Sequence, residues 1–183
     1  IIPEKETSKT NLLSYLDLVS LATVADVVPL IGLNRAYVKQ GLKIFQHRLC
    51  LKMFLTHFRL VENLNEETIA FQVAPRLNAS GRIGSAFLTY QFLVSTDAHK
   101  IETYINKMEA ANKERKVLEK IILTSAVNQI SNSESQKPYT MVKAKGWHKG
   151  VIGIIASRLK DLYAKLCVAI TIDGNVAHGS IRS

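Results

Sequence analysis

Apolar residues recur at the three- and four-residue spacing of amphipathic helices through most of the first 130 positions. This pattern predicts five helices. They cover residues 16–30, with an end near Pro29; residues 35 to about 58, with Asn34 as N-cap; residues 65–73; residues 85–94; and residues 98–130, capped by Thr96 and Asp97. The polar residues 1–15 are interpreted as the tail of a preceding connection.

The periodicity changes in the last third of the chain. Residues 131–138 form a polar linker, residues 139–144 alternate as a strand does, and residues 149–165 return to helical spacing. An apolar strand at 167–172, a turn at Asp173-Gly174-Asn175 and a strand at 176–181 complete the chain. The order β-α-β-β after a mainly helical part predicts an α/β fold.

The composition is that of a globular protein, with 47% hydrophobic and 21% charged residues. No apolar run reaches the roughly 18 residues that cross a bilayer, so we expect no membrane association. The formal net charge of +9 favours polyanionic partners, although simple solubility explains it equally well. Cys50 and Cys167 are isolated in apolar surroundings, which favours reduced thiols and a cytoplasmic protein over a disulfide.

Two segments have the composition of anion-binding sites. Residues 146–158 place a Trp, a His, a Lys and three glycines directly before a helix, whose N-terminal N–H groups suit a phosphate. Residues 179–183 add the Ser180 hydroxyl and the Arg182 guanidinium. Together they indicate nucleic-acid or nucleotide chemistry.

A third segment, residues 75–82, interrupts the helical periodicity and is predicted to be a loop. Arg76 and Arg82 bracket Asn78 there without any acidic residue, which favours a phosphate clamp over a solvated surface loop.

His148 could act as a general acid, donate a hydrogen bond to phosphate or bind a metal; a plain turn residue is an equal alternative. Asp26 ends an apolar helix, and its spacing alone favours a helix-end residue over a metal ligand. Asp17 lies on the opposite helix face, so the two do not form a metal pair. The remaining histidines are expected to be structural or on the surface. The charged residues 113–120 are expected to form a solvated helix face with ion pairs between residues four apart.

These segments resemble the RecJ family of DHH phosphoesterases. The resemblance rests on residues 16–30, 74–82, 146–158 and 179–183, which follow one another in the family's order, and on Asn112 and Arg115 as an Asn-x-x-Arg pattern. It implies a 5′-to-3′ exonuclease on single-stranded DNA in repair and recombination. The enzyme would use Mn²⁺ or Mg²⁺ in a two-metal mechanism, with a DHH-associated domain that grips the DNA.

The resemblance also implies residue roles. Asp26 becomes a metal ligand, contrary to the interpretation from spacing alone. Arg76, Asn78 and Arg82 would face the DNA. Ser180 and Arg182 would hold phosphate, with the 5′-phosphate as the candidate, and His148 would be catalytic.

The family's early motifs, including the Asp-His-His triplet, do not occur in this sequence. We therefore expect an internal piece: residues 1–33 from the end of the DHH domain, 34–64 as connecting helix and 65–183 as an incomplete DHH-associated domain. Without the N-terminal DHH half, the piece alone would be inactive. The alternatives are a non-catalytic nucleic-acid-binding remnant of a split gene, and a DHH phosphoesterase acting on short oligonucleotides.

Overall fold

The computed structural model describes residues 11–130 and 137–183. The start of the predicted tail and most of the predicted linker, residues 1–10 and 131–136, lie outside the described residues. The helices in the described part are α1 (Leu16–Ala25), α2 (Gly32–Ile44), α3 (Leu49–His57), α4 (Glu66–Thr68), α5 (Ala74–Ile83), α6 (Phe87–Val94), α7 (Ala98–Asn128) and α8 (Ile152–Tyr163). The strands there are β1 (Tyr139–Lys145), β2 (Leu166–Asp173) and β3 (Val176–Arg182). The α/β prediction is confirmed.

The chain divides into two compact units. The first unit contains the described residues up to Asn78 and the stretch Phe87–Met108. Its core is built from apolar side chains of α1 to α3, of α5 to α7, of a 3₁₀ turn (Phe45–His47) and of a π-helical segment (Ile69–Val73). The almost fully buried ones include Phe45, Leu51, Phe54, Ile69, Phe92, Ile101 and Met108. The buried residues of α1 to α3 and of α7 recur at three- and four-residue intervals, which is the spacing from which the helices were predicted.

The predicted single helix over residues 35–58 is wrong. Helix α2 ends at Ile44, a 3₁₀ turn follows at Phe45–His47, and α3 begins at Leu49. Arg48 between them has an extended backbone, with ψ of 121°. Its Nε and Nη2 atoms donate to the carboxylate of Asp17, at 2.5 and 3.1 Å. Asp17 is only 2% exposed, so this bidentate pair neutralises a buried charge at the helix break.

The predicted loop over residues 75–82 is also wrong, because these residues form α5. A π-helical segment, Ile69–Val73, leads directly into the helix. Pro75 has no N–H to donate, and it follows the π-helical segment directly, where the regular α-helical hydrogen-bond pattern is already interrupted. Leu77, Ala79 and Ser80 are buried, and their packing supports helix where the composition indicated a turn.

The second unit contains Ala79–Ala86 and the described residues of Glu109–Ser183. Its sheet has the order β1-β2-β3, with β1 and β2 parallel and β2 and β3 antiparallel. Helix α8 connects the two parallel strands and buries Ile155 and Leu159 in a core shared with the sheet and with the C-terminal part of α7. The predicted order β-α-β-β is confirmed.

Cys50 and Cys167 are both buried and free, as expected. Burial raises the pKa of the Cys50 thiol to about 11, so the thiol stays protonated at neutral pH. Within the described residues, no helix combines the length and apolar content that crossing a membrane requires.

A candidate anion-binding cleft

A cleft of about 590 Å³ lies within the second unit. It is lined by three short segments that are distant in the sequence: Gly81–Gly84 at the end of α5, His148–Gly153 before and within α8, and His178–Ser180 on β3. Arg82, His148 and Ser180, which the sequence analysis selected separately, therefore line one cavity.

Hydrogen bonds connect the turn that precedes α8, residues 146–151, to the sheet, and another closes the turn internally. The hydroxyl of Thr171 on β2 donates to the carbonyl oxygen of Trp147 at 2.6 Å, and the Gly146 N–H donates to the carbonyl oxygen of Ile172 at 3.4 Å. The Val151 N–H closes the turn on the carbonyl oxygen of His148 at 2.9 Å. The start of α8 is thus held at the end of β1, where its N–H groups are available to a ligand.

Gly150 allows two backbone segments of the cleft to approach closely, and Gly153 shows which side chains face the start of α8. A Cβ atom on Gly150 would overlap the carbonyl oxygen of Arg82, and Arg82 Nη1 donates to the carbonyl oxygen of Gly150 at 3.4 Å. A Cβ atom on Gly153 would lie 3.5 Å from Ser180 Oγ and 3.6 Å from Arg182 Nη2. The first turn of α8 therefore faces the hydroxyl and the guanidinium of β3.

The ring of His148 has a defined orientation. Its Nδ1 atom accepts a hydrogen bond from the Gly150 N–H at 3.2 Å. In the neutral imidazole one nitrogen accepts and the other carries the proton, so this contact assigns the proton to Nε2. His148 can therefore offer an N–H donor even when it is uncharged.

Strand β3 presents alternate side chains to the α8 side of the sheet. His178, Ser180 and Arg182 pair with Thr171, Ala169 and Cys167 of β2, all three of which are buried. Directly opposite residues share a face of the sheet. His178 also lines the cleft, although it was not predicted as a site residue. Its position two residues before Ser180 in a predicted strand was the available signal.

Arg82, Arg115 and Arg182 form an arginine cluster. Partial burial, together with the positive charges of Arg115 and Arg182, lowers the pKa of Arg82, and the carboxylate of Glu119 opposes this. Guanidinium groups stay charged in proteins. The direction of the shift therefore reflects the burial of Arg82 first and the neighbouring positive charges second. An anion in the cleft would relieve the repulsion between those charges.

The prediction that residues 113–120 form a solvated face is wrong at two positions. The side chains of Arg115 and Glu119 are only 11% and 14% exposed, with Arg115 Nη1 donating to Glu119 at 2.7 Å. Arg115 Nη2 also donates to Asn112 Oδ1 at 3.1 Å, and Arg158 Nε donates to Glu119 at 3.1 Å. Among the described residues, Arg115 Nε is buried without a hydrogen-bond partner. The Asn-x-x-Arg pattern thus contributes to a buried polar network beside the cleft.

Arg76 and Asn78 belong to the first unit and do not line this cleft. Arg76 Nη1 donates to the carbonyl oxygen of Gln72 at 2.6 Å, and its guanidinium lies 4.3 Å from the ring centroid of Phe58. Asn78 is exposed on α5. The structure therefore separates these two residues from Arg82, although all three lie on one helix.

Asp26 is exposed at the C-terminal end of α1, where its backbone N–H donates to the carbonyl oxygen of Ala22 at 3.0 Å. In residues 11–130 and 137–183, no group of three or more His, Cys, Asp or Glu side chains could hold a metal ion. A Mg²⁺ or Mn²⁺ site needs several oxygen or nitrogen ligands. The described residues therefore do not fit a divalent-metal site on their own.

No protein-family model matches the sequence. The single-stranded-DNA-specific exonuclease RecJ of Bacillus subtilis is 35% identical over 176 residues, which is 92% of this chain and 22% of that protein. The RecJ exonuclease of Haemophilus influenzae is 31% identical over 185 residues, or 96% of this chain and 32% of that protein. The chain thus spans about a fifth to a third of these curated relatives.

The solved structures with a similar fold are also RecJ proteins. The fold is similar to that of RecJ from Thermus thermophilus in complex with Mn²⁺, with a TM-score of 0.85, 27% identity, and coverage of 98% of this chain and 26% of that one. An exonuclease RecJ bound to manganese matches with a TM-score of 0.84 and 27% identity over 98% of this chain and 45% of that one. Over almost its whole length, the chain is therefore similar in sequence and in fold to one stretch of the RecJ exonucleases.

Proposed function

We propose that the cleft of the second unit binds a phosphate group of single-stranded DNA, specifically the 5′-phosphate, for an exonuclease of the RecJ type. One observation carries this proposal: Arg82, His148 and Ser180 line one cavity at the start of α8, with Arg182 beside it. The relatives named as single-stranded-DNA-specific exonucleases supply the substrate class.

The donors around the cleft suit a terminal phosphate. Arginine binds phosphate through two parallel N–H donors, and the start of a helix adds backbone N–H groups and a positive dipole end. Ser180 and the Nε2–H of His148 can each add one directional hydrogen bond. A terminal phosphate carries more negative charge and more free oxygens than an internal diester, so it gains more from these donors.

Within the same proposal, His148 is the candidate catalytic residue, because its oriented Nε2–H can donate a hydrogen bond to an oxygen of the bound strand. To act as a general acid it would have to be the imidazolium, in which Nδ1 no longer accepts from the Gly150 N–H. Asp26 is the candidate metal ligand. The RecJ structures with Mn²⁺ or Mg²⁺ support these ions as cofactors of the whole enzyme. Since Asp26 is one exposed carboxylate, we assign no hydrolytic step to the described residues and expect this chain alone to be inactive.

A binding role without cleavage is the second candidate function. The lack of any metal-holding side-chain cluster among the described residues favours it, while the anion-binding cleft is common to both functions. Binding, not cleavage, is therefore the property to test first.

The test compares Arg182→Ala with the unsubstituted chain on 5′-phosphorylated and 5′-hydroxyl oligonucleotides of one sequence. We expect affinity for the phosphorylated strand to fall roughly 10- to 100-fold, because a hydrogen bond to a charged group contributes about 1.5–3 kcal/mol. Affinity for the hydroxyl strand should fall much less. Fluorescence anisotropy at one fixed salt concentration measures both.

Lys120→Ala is the matched control, because it removes one positive charge from an exposed position of the same unit. This variant should bind both oligonucleotides slightly more weakly, with the same loss of affinity for each. Equal losses on the two strands in Arg182→Ala would contradict the assignment of the cleft to the 5′-phosphate.

A further inference from the structure

The positive charge of the chain is concentrated in one part of the first unit. Residues 27–61 contain six Lys or Arg residues and no Asp or Glu, and so account for +6 of the formal net charge of +9. The six are Arg35, Lys39, Lys43, Arg48, Lys52 and Arg59. A 35-residue stretch without one carboxylate has no internal means of neutralising that charge.

The structure separates these six residues into two groups. Arg48 forms a salt bridge with the buried carboxylate of Asp17. The side chains of the other five are exposed. Three of these, Arg35, Lys39 and Lys43, follow one another at intervals of four residues on α2. Residues four apart lie on one helix face, so these three form a basic stripe about 12 Å long.

A cavity of about 350 Å³ lies beside this basic stripe within the first unit. Arg35 and Lys39 line it together with one carboxylate and three apolar side chains, which are Glu66, Leu30, Val38 and Leu42. The lining of the cavity thus combines non-polar side chains with two cations. Such a surface can accept a phosphodiester and the sugar or base attached to it.

We propose that the basic stripe is a second nucleic-acid-binding surface, which holds the phosphate backbone of single-stranded DNA without regard to its sequence or its 5′ end. The polyanion is taken from the proposed function, and the inference rests on it to that extent. The charge complementarity is specific to this face, because α2 contains three cations and no acidic residue. Exposed Lys and Arg are the side chains that neutralise phosphates and release their counterions.

The test is the triple variant Arg35→Gln/Lys39→Gln/Lys43→Gln, with binding to an oligothymidylate measured over a range of salt concentrations. The logarithm of the binding constant falls with the logarithm of salt concentration by about 0.7 for each phosphate neutralised on a single strand. We expect the slope to become shallower by about 2 and the affinity to fall equally for 5′-phosphorylated and 5′-hydroxyl strands.

The control is Lys107→Gln/Lys116→Gln/Lys120→Gln, which removes the same charge from exposed positions on α7. Two results would overturn the proposal: a triple variant whose slope matches that of this control, or a loss confined to the phosphorylated strand. If the proposed function alone is wrong, the unsubstituted chain shows no preference for a 5′-phosphate, yet the triple variant still has the shallower slope.

Glu66→Gln provides a check that does not depend on the stability of the triple variant. Glu66 is the one acidic residue lining the cavity, and its removal should strengthen binding of the oligothymidylate. A gain in affinity cannot result from unfolding. Unchanged or weaker binding in this variant would count against the basic stripe as a DNA surface.

Discussion

Gly150 determines how closely the turn before α8 can approach the end of α5. Because a Cβ atom at this position would overlap the carbonyl oxygen of Arg82, Gly150→Ala should push the two segments apart. We expect a destabilisation of roughly 1–3 kcal/mol, the usual cost of overpacking, measured by urea unfolding. Phosphate binding should weaken as well, since Arg82 would move.

The matched control for this prediction is Gly84→Ala. A Cβ atom there would lie 3.5 Å from the carbonyl oxygen of Ser80, which is an ordinary contact. Its free energy of unfolding should stay within about 0.5 kcal/mol of the unsubstituted protein. Equal destabilisation of both variants would show that the close approach of Gly150 has no special importance.

At the residue scale, the sequence indicated candidate site residues where the neighbouring residues in the chain have a distinctive composition. Arg82, His148 and Ser180 lie in segments whose glycines and hydroxyls indicate anion binding, and the structure brings them to one cavity. Glu119 and His178 were missed because their surroundings depend on the fold. A carboxylate in a charged helix segment looks solvated until the packing that buries it is known.

Helix α7 offers a pH-dependent test at the scale of the element. The backbone N–H groups of Lys100 and His99 both donate to Asp97 Oδ1, at 3.2 and 3.0 Å. These hydrogen bonds lower the pKa of Asp97 below its ordinary value of 3.8, and the one from Lys100 has the largest effect. A carboxylate with a lowered pKa stabilises the folded state above its unfolded pKa, and this contribution is lost as the pH falls through the folded pKa.

Asp97→Asn should therefore lower the thermal unfolding midpoint at pH 7, because it keeps an N-cap acceptor but loses the charge. The difference from the unsubstituted chain should shrink at the lowest pH at which both proteins remain folded. Asp97→Ala, which removes the acceptor as well, should be less stable than Asp97→Asn at both pH values. A constant difference between the unsubstituted chain and Asp97→Asn would contradict a role for the charge.

Helices and strands could be predicted from the sequence where apolar residues recur at regular spacing and that side of the element faces a core. Two predictions failed because local composition and tertiary packing disagreed. Residues 75–82 contain Pro, Asn, Ser and Gly, yet they are helical because a π-helical segment leads into them and Leu77 and Ser80 are buried. The predicted helix through residue 58 is interrupted where Arg48 pairs with Asp17. That contact spans 31 residues, and no local pattern shows it.

At the scale of the whole molecule, the net positive charge has two distinct locations. In the second unit, the arginine cluster lies beside the cleft that we propose as the 5′-phosphate site. In the first unit, the basic stripe follows an exposed helix and suits a continuous backbone. The assignment of residues 1–33, 34–64 and 65–183 to the domains of the RecJ family stays a prediction, since compactness alone does not identify a family domain.

The most direct test of the account is to locate a bound 5′-phosphate on the chain. Backbone amide chemical shifts would be followed by NMR while a thymidine dinucleotide with a 5′-phosphate is added, and again with its 5′-hydroxyl counterpart. The account predicts that the phosphorylated ligand shifts the amides of Gly150, Gly153 and Ser180 most, and that the hydroxyl ligand leaves them nearly unchanged. Shifts centred elsewhere, or the same shifts with both ligands, would contradict it.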